Sequence, residues 1–239
     1  MSLGERPVSN RRMTIAEAGF PNTGEFQRLV SHWATDASLL MLQFVWRGYD
    51  YLKEDVLDRI DARKSDEDLE RSVTQLLEPR IRRAMTGDEP FEIQHGSYEH
   101  ETRQPPPAQP PQYDLAFVLR ANPRVMWPLE AKLIRSDGAV GRYVSELKGN
   151  FLTCRYAPFS RSGAMLGYLL STSTITVFDN ISKAVPCKLF GVAALSARPH
   201  RRSSHTRTVP PARRYPRRFH CHHLLLTLVP ITSGRGHEE

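Results

Sequence analysis

The chain has 239 residues, of which 40% are hydrophobic and 25% are charged. This composition is typical of a globular protein that can bury a core without disulfides, and it excludes a chain that is disordered throughout. The net charge of +7 is unevenly distributed, because residues 180–239 hold 11 basic residues and only two acids, a balance of +9. This asymmetry points to a polyanionic partner, with nucleic acid first and a membrane surface second.

The sequence carries no sign of export or membrane insertion. The first residues lack an apolar run, and the longest apolar stretch, residues 37–46, is far shorter than the roughly 20 residues that cross a bilayer. The three cysteines, Cys154, Cys187 and Cys221, are widely spaced and odd in number, which argues against a disulfide framework. We therefore expect a cytoplasmic protein without a membrane partner.

The first 60 residues are predicted to form an N-terminal extension. Residues 1–23 show no periodicity and are interpreted as a loose arm, whereas residues 25–60 have apolar positions at helical spacing, with a break near Gly48. The break predicts two helices or one bent helix. The apolar faces, which include Trp33 and Trp46, are candidates for a homodimer or partner-protein contact, or they pack on the protein's own sheet.

Residues 61–239 are predicted to form the main domain. Ser65 is expected to cap a helix that runs to about residue 85. Alternating apolar residues then predict three strands, at residues 91–95, 113–119 and 125–134, with an extended Pro-rich loop over residues 103–112.

After the third strand the pattern predicts more helices and a late strand. Helices are expected over residues 138–152 and 162–170, and a final strand over residues 222–229. Residues 175–178 and 189–194 are compatible with strands or short helices. The fold class is therefore α/β, with a central mixed β-sheet flanked by helices.

The sharpest chemical pattern is an acid at the start of the second strand and a Glu-x-Lys triplet on the third. Residues i and i+2 of a strand share a face, so Glu130 and Lys132 are expected to point together, and an antiparallel turn would bring Asp114 close to Glu130. Two neighbouring carboxylates repel unless a cation lies between them, and hard oxygen ligands favour Mg²⁺ or Mn²⁺. A nearby lysine can orient or help to deprotonate water on the metal and offset charge on a phosphate.

The alternative is an edge strand whose exposed face carries an ordinary ion pair. The chain contains the same triplet at Glu146 and Lys148, where helical spacing of the apolar neighbours favours a solvated helix face. Glu130 and Lys132 differ from that triplet because they interrupt an apolar strand.

The arrangement Tyr113-Asp114 followed by Glu130-Ala131-Lys132 resembles the PD-(D/E)xK superfamily of restriction-endonuclease-like nucleases. The resemblance implies a core of one helix, a three-stranded meander, a second helix and a further strand. It also implies a metal site formed by Asp114, Glu130 and the Ala131 carbonyl, with Lys132 positioning water. The chain departs from the pattern at Tyr113, where the superfamily name has proline.

The resemblance further implies an additional acid on the first helix of the core. Glu70 is the first choice, because it continues the line of the buried residues, and Asp66 is its competitor. Superfamily members also tend to carry a polar or basic residue after the third strand, for which Lys148 and Arg155 are the candidates.

Residues 198–218 form an Arg-rich segment without an acid. Seven of its arginines are predicted to contact nucleic-acid phosphates: Arg201, Arg202, Arg207, Arg213, Arg214, Arg217 and Arg218. Arginine suits phosphate oxygens, and the alternative is a solvated basic loop. The adjacent His220-Cys221-His222-His223 run is interpreted as strand residues in a core rather than a zinc site, because no second Cys/His pair lies at finger spacing.

These features predict a Mg²⁺- or Mn²⁺-dependent endonuclease that hydrolyses phosphodiester bonds, with DNA as the favoured substrate. The alternative is a catalytically silent nucleic-acid-binding or assembly module on the same fold. An enzyme acting on a small phosphorylated substrate is a weaker rival, because the sequence has no Gly-rich phosphate loop.

Overall fold

The computed structural model describes residues 24–57, 60–61, 63–102, 110–170, 173–211 and 213–228. The predicted arm, residues 1–23, lies outside the described residues. The helices are α1 (Gly24–Val56), α2 (Asp66–Ala84), α3 (Gly141–Glu146), which continues as a π-helix (Leu147–Phe151), α4 (Thr174–Ala184) and a 3₁₀ turn (Ala193–Leu195). The strands are β1 (Phe91–His95), β2 (Leu115–Leu119), β3 (Met126–Ile134), β4 (Ser162–Leu169), β5 (His200–Thr206) and β6 (Arg218–Thr227).

The strands form one six-stranded sheet in the order β1-β2-β3-β4-β6-β5. The first three strands are an antiparallel meander, β4 is parallel to β3, β6 is parallel to β4, and β5 is antiparallel to β6. The helix α3 makes the crossover from β3 to β4, as a parallel pair requires. The predicted α/β class with a central mixed sheet flanked by helices is confirmed.

Helices cover both faces of the sheet. The helices α1 and α2 pack with odd-numbered residues of β3, including Leu129 and Leu133, in one hydrophobic cluster. The helices α3 and α4 pack on the opposite face with Met126 and Ile134. Glu130 and Lys132 therefore belong to the α3 face, as the alternation along the strand predicts.

The predicted helix over residues 162–170 is wrong, because this segment is the central strand β4. Every residue of β4 is buried, so the strand has a continuous apolar run instead of the alternation that marks a half-exposed strand. Gly163 permits close packing of a helix on the sheet, since a Cβ at this position would lie 2.8 Å from a ring carbon of Phe151 in the π-helix. Residues 175–178, which were left open, belong to helix α4.

Of the two alternatives predicted at Gly48, the division into two helices is wrong, because α1 is continuous from Gly24 to Val56. Gly48 lies where α1 crosses α2, and a Cβ at this position would come within 2.7 Å of the Ile81 backbone nitrogen. The glycine thus permits a close helix contact. The same helix places Phe44 and Trp46 in the core against the sheet.

The cap of α2 is as predicted, since the Ser65 hydroxyl accepts a hydrogen bond from the Asp68 backbone N–H. No helix in the described part of the chain is long and apolar enough to cross a membrane.

Candidate active site

The candidate site lies where β3 extends beyond its neighbour β2. The last pair between these strands joins Leu115 and Leu129, so the following residues of β3 have no strand partner on that side. Two carboxylates take the place of the missing strand: Asp114 Oδ2 accepts from the Ala131 N–H at 2.7 Å, and Glu70 Oε1 accepts from the Leu133 N–H at 2.9 Å. The strand edge thereby fixes both acids.

The Lys132 ammonium is at the centre of these acids. Its Nζ donates to Glu130 Oε1 and to the Ala131 carbonyl, both at 2.8 Å. It also lies 3.8 Å from Asp114 Oδ2 and 3.9 Å from Glu70 Oε2. The structure therefore brings together all four residues that the sequence predicts for catalysis.

The cluster carries an excess of negative charge in a buried setting. Three carboxyl groups surround one ammonium, and burial followed by the neighbouring Asp114 raises the pKa of Glu130 well above its usual range. Burial lowers the pKa of Lys132, but the Glu130 and Asp114 carboxylates outweigh this effect, so that pKa is raised overall. Glu130 Oε2 is buried and has no hydrogen-bond partner among the described residues.

Asp66, the alternative to Glu70, pairs with two arginines and not with Lys132. Its carboxylate binds Arg135 at 2.6 Å and Arg142 at 3.1 Å, and the hydrogen bond from Arg135 is the main cause of its lowered pKa. Arg142 also lies 3.4 Å from Glu70 Oε1. Glu70, and not Asp66, is the acid on α2 that reaches Lys132.

An open cleft of about 290 Å³ adjoins the cluster. Its walls are formed by Glu67, Glu70, Arg71, His95, Gly96, Gln112, Tyr113 and Asp114. A substrate in this cleft would contact Asp114 and Glu70 directly, whereas Glu130 and Lys132 lie deeper. Within the described ranges, no group of three or more His, Cys, Asp or Glu side chains is arranged to hold a metal ion.

Sequence reasoning missed a polar chain on the helix after β3. Glu146 was interpreted as part of a solvated helix face, but it is half-buried, and its charge raises the pKa of both Glu130 and Lys132. The Asn150 amide donates to Glu146 Oε2, and Arg155 donates to Asn150 Oδ1 at 3.2 Å. Arg155 is a sequence candidate as the basic residue after the third strand, but nothing in the pattern indicates its link to Glu146 through Asn150.

The Arg-rich segment is not one continuous loop. Strand β5 occupies residues 200–206, and Arg201, which is half-buried, lies over the Phe178 ring at 5.3 Å. Arg213 is exposed and pairs with Glu101 at 3.3 Å. The other exposed members are Arg202, Arg214, Arg217 and Arg218.

The prediction for Arg207 is wrong, because its side chain is buried and inaccessible to a nucleic acid. The guanidinium donates to the carbonyl oxygens of Phe151 and Ser160 at 2.9 and 3.0 Å, and to those of Tyr156 and Ala157 at 2.7 and 2.9 Å. Five N–H donors in a rigid fork allow one side chain to satisfy four carbonyls. Arg207 is therefore a structural clamp on the loop that follows the π-helix.

The exposed arginines at the start of β6 lie on the same sheet as the candidate site, two strands away from β3. Glu130 is level with Met165 of β4, which is level with His223 of β6. Arg218 precedes His223 by five residues, a separation of about 16 Å along an extended strand. Phosphates along a nucleic-acid backbone can span such a distance.

The histidines of β6 are core residues, as the strand interpretation predicts. His222 and His223 are buried, and His222 Nδ1 lies 3.0 Å from His200 Nε2. His223 bonds the Tyr143 hydroxyl at 2.8 Å and the Ser203 hydroxyl at 2.7 Å. Both ring nitrogens of His223 and the Nδ1 of His222 are thus engaged with protein groups.

Comparisons of the chain with protein-family models, with curated proteins and with solved structures gave no match.

Proposed function

We propose that the protein is a metal-dependent nuclease that hydrolyses phosphodiester bonds, with DNA as the favoured substrate. The observation that carries the proposal is the convergence of Asp114, Glu130 and Glu70 on Lys132 at the free edge of β3. A buried group of acids around one lysine, open to a cleft on one side, is suited to phosphate chemistry.

The topology supports a restriction-endonuclease-like core. The resemblance implies a helix, a three-stranded meander, a second helix and a further strand. The chain has α2, the antiparallel meander β1-β2-β3, the crossover helix α3 and the parallel strand β4 in that order. The acids and the lysine occupy the corresponding elements. The helix α1 and the late strands β5 and β6 extend this core.

The acids fit a divalent cation. The three carboxylates and Lys132 sum to −2 when all are ionised, and Glu130 Oε2 is a buried acceptor without a partner among the described residues. Mg²⁺ keeps several waters and needs only one or two protein carboxylates together with substrate phosphate, so Asp114, Glu130 and the Ala131 carbonyl suffice. When bound, the cation supplies Lewis-acid stabilisation of charge that develops on the phosphate.

Lys132 acts as a donor and not as a base in this proposal. Its raised pKa keeps the ammonium protonated at neutral pH, and its bonds to Glu130 and Ala131 fix its position. A fixed ammonium can donate to the attacking water or to a phosphate oxygen. The exposed arginines of residues 202–218 supply the attraction for the polyanion that the acidic cluster lacks.

The proposal includes a reducing, cytoplasmic location. Its support is that Cys154, Cys187 and Cys221 are all free thiols.

The proposal is tested by incubating the purified protein with plasmid and linear DNA in Mg²⁺, Mn²⁺ or EDTA. We expect cutting that requires the metal and falls by at least about 100-fold in Asp114→Asn and Lys132→Met, since each removes a charge from the reacting centre. The control Asp88→Asn changes an exposed acid in the turn before β1 and should cut like wild type. Equal cutting by all variants would refute the assignment.

The second candidate is the catalytically silent module. It is favoured by one observation: Asp114 and Glu70 already cap backbone N–H groups of β3, which is a structural role in its own right. This reading predicts DNA binding without metal-dependent cleavage, and melting temperatures that Mg²⁺ and Ca²⁺ leave unchanged. A nuclease with a cation on Glu130 should instead melt at a higher temperature with either ion, and Glu130→Gln should abolish that shift.

A further inference from the structure

The loop that follows the π-helix is held in a strained conformation. Among the described residues, two that are not glycine have positive φ, Cys154 at 62° and Ala157 at 48°. They flank the dipeptide Arg155-Tyr156. Such conformations persist only when the surrounding structure enforces them, and they concentrate at ligand-binding sites.

The enforcing group is the buried Arg207. Two of its four carbonyl partners, Tyr156 and Ala157, lie in this loop, and the others, Phe151 and Ser160, lie at its two ends. A clamp of this kind fixes the backbone on both sides of Arg155. The loop is therefore a rigid platform, although it has no regular secondary structure.

Arg155 is the exposed side chain that this platform presents. Residues 156–160 are buried, whereas Arg155 is exposed. Among the described residues, the hydrogen bond of its guanidinium goes to Asn150 Oδ1, and no carboxylate pairs with it. Asn150 is itself buried and held by Glu146, so the guanidinium is oriented by a neutral amide and keeps its full charge.

Arg155 is close to the acidic cluster but separated from it by Tyr156. The Tyr156 hydroxyl donates to the Gln112 carbonyl at 2.7 Å, two residues before Asp114. Burial is the main cause of the raised pKa of Tyr156; the charges of Glu130 and Asp114 raise it further, and Arg155 opposes them. Arg155 thus lies beside Tyr156, which contacts the segment that leads to Asp114, and it has no carboxylate partner among the described residues.

We propose that Arg155, presented by the strained and clamped loop, binds a backbone phosphate of the nucleic acid next to the Asp114–Glu130 centre. This inference rests on the proposed function for the identity of the polyanion. Arginine's planar fork matches two phosphate oxygens, and a guanidinium that is fixed before binding loses less freedom on contact.

The test measures binding in EDTA, where the proposed metal chemistry plays no part. The probe is a fluorescently labelled 20-base-pair DNA duplex, and anisotropy gives Kd at several salt concentrations for wild type, Arg155→Ala, Arg155→Lys and Arg63→Ala. Arg63 is a matched control, because it is an exposed arginine whose charge is paired with Asp61. Thermal melts confirm that each variant is folded.

We expect Arg155→Ala to raise Kd about tenfold and to lower the slope of log K against log salt by about 0.9, the value for one lost phosphate contact. Arg155→Lys should restore the slope, since it restores the charge, but only part of the affinity, because the fork is lost. Arg63→Ala should match wild type.

The outcomes separate this inference from the proposed nuclease activity. If Arg155→Ala and Arg63→Ala have equal Kd and slope, or if the wild type does not bind DNA, the phosphate site is refuted, whatever the cleavage assay shows. If Arg155→Ala loses affinity and slope while the wild type does not cut DNA, the phosphate site stands and the nuclease activity is refuted.

Discussion

The guanidinium of Arg207 donates to four carbonyl groups, and for two of them, Tyr156 and Ser160, no other donor is seen among the described residues. It also stacks over the Phe219 ring at 4.6 Å, so its charge is held between backbone dipoles and an aromatic face. The same residue type seven positions later, Arg214, is exposed to solvent. The two arginines therefore have opposite roles in the same basic segment.

Arg207→Ala should lower the free energy of unfolding by about 3–5 kcal/mol, because it leaves the Tyr156 and Ser160 carbonyls unpaired and removes the contact with the Phe219 ring. Arg214→Ala is the control and should change it by less than about 0.5 kcal/mol. Urea unfolding followed by circular dichroism measures both. Similar stabilities of the two variants would contradict the structural role of Arg207.

The predictable part of the site is the part that strand geometry determines. Glu130 and Lys132 share a face because of the two-residue period of a strand, and the antiparallel meander brings Asp114 to them. The link from Glu146 through Asn150 to Arg155 was not predictable, because the apolar neighbours of Glu146 favour a solvated helix face and Arg155 lies in the loop after the π-helix. The predicted phosphate contact of Arg207 was wrong because amino-acid composition does not show which side chains are buried.

Two glycines illustrate how helix contacts depend on the neighbouring element. Gly48 faces the backbone of Ile81 in α2 and has no room for a side chain. Gly149, in the π-helix after α3, has no other atom within 4 Å of an added Cβ. From the sequence alone, both glycines would be interpreted as residues that destabilise a helix.

Gly48→Ala should lower the free energy of unfolding by about 1–2 kcal/mol, because the cost of overpacking exceeds the gain in helix propensity. Gly149→Ala has no such clash and should leave it unchanged or raise it by up to about 1 kcal/mol. Chemical denaturation of both variants tests the difference. A stabilised Gly48→Ala variant would show that α1 and α2 can separate at no cost.

The wrong prediction of a helix at β4 has a related cause. Its residues are apolar without alternation, and a fully buried strand in a parallel arrangement cannot be distinguished from a buried helix by periodicity. The meander β1-β2-β3 was predictable because its strands have turn residues between them and alternate in part. Whether a fully buried segment is a strand or a helix depends on the elements that pack around it, and the sequence pattern alone does not show this.

A chain of hydrogen bonds joins α1 to strands β5 and β6. Trp46 Nε1 lies 3.3 Å from His200 Nδ1, and indole only donates, so His200 carries its proton on Nε2 and donates to His222 Nδ1. Burial, followed by the charge of Arg201, lowers the pKa of His200 to about 4. The N-terminal helix and the late strands β5 and β6 are thus tied together by neutral imidazoles.

The pKa of His200 is about 6.5 in the unfolded chain and about 4 in the folded chain, so the folded protein takes up this proton only at lower pH. Stability from this group is therefore complete above pH 6.5 and is lost as the pH falls towards 4. His200→Asn keeps an acceptor for Trp46 but does not titrate. The stability advantage of the wild type over this variant should shrink by about 2–3 kcal/mol between pH 7.5 and pH 4.5.

Denaturant unfolding of both proteins across this pH range gives the comparison. Taking the difference removes groups that titrate in both, including Glu99, whose pKa burial raises to about 7. Parallel pH profiles would mean that His200 does not link protonation to folding.

The free edge of β3 also limits which changes of chain length the protein can tolerate. Asp114 reaches the Ala131 N–H only because β2 begins at the next residue and its pairing with β3 ends at Leu129. One residue inserted between Asp114 and β2 would turn the acid to the opposite face of the sheet, since side chains alternate along a strand. The same insertion before Pro110 would leave that register intact. An insertion near the site is therefore acceptable before Pro110 and damaging between Asp114 and β2.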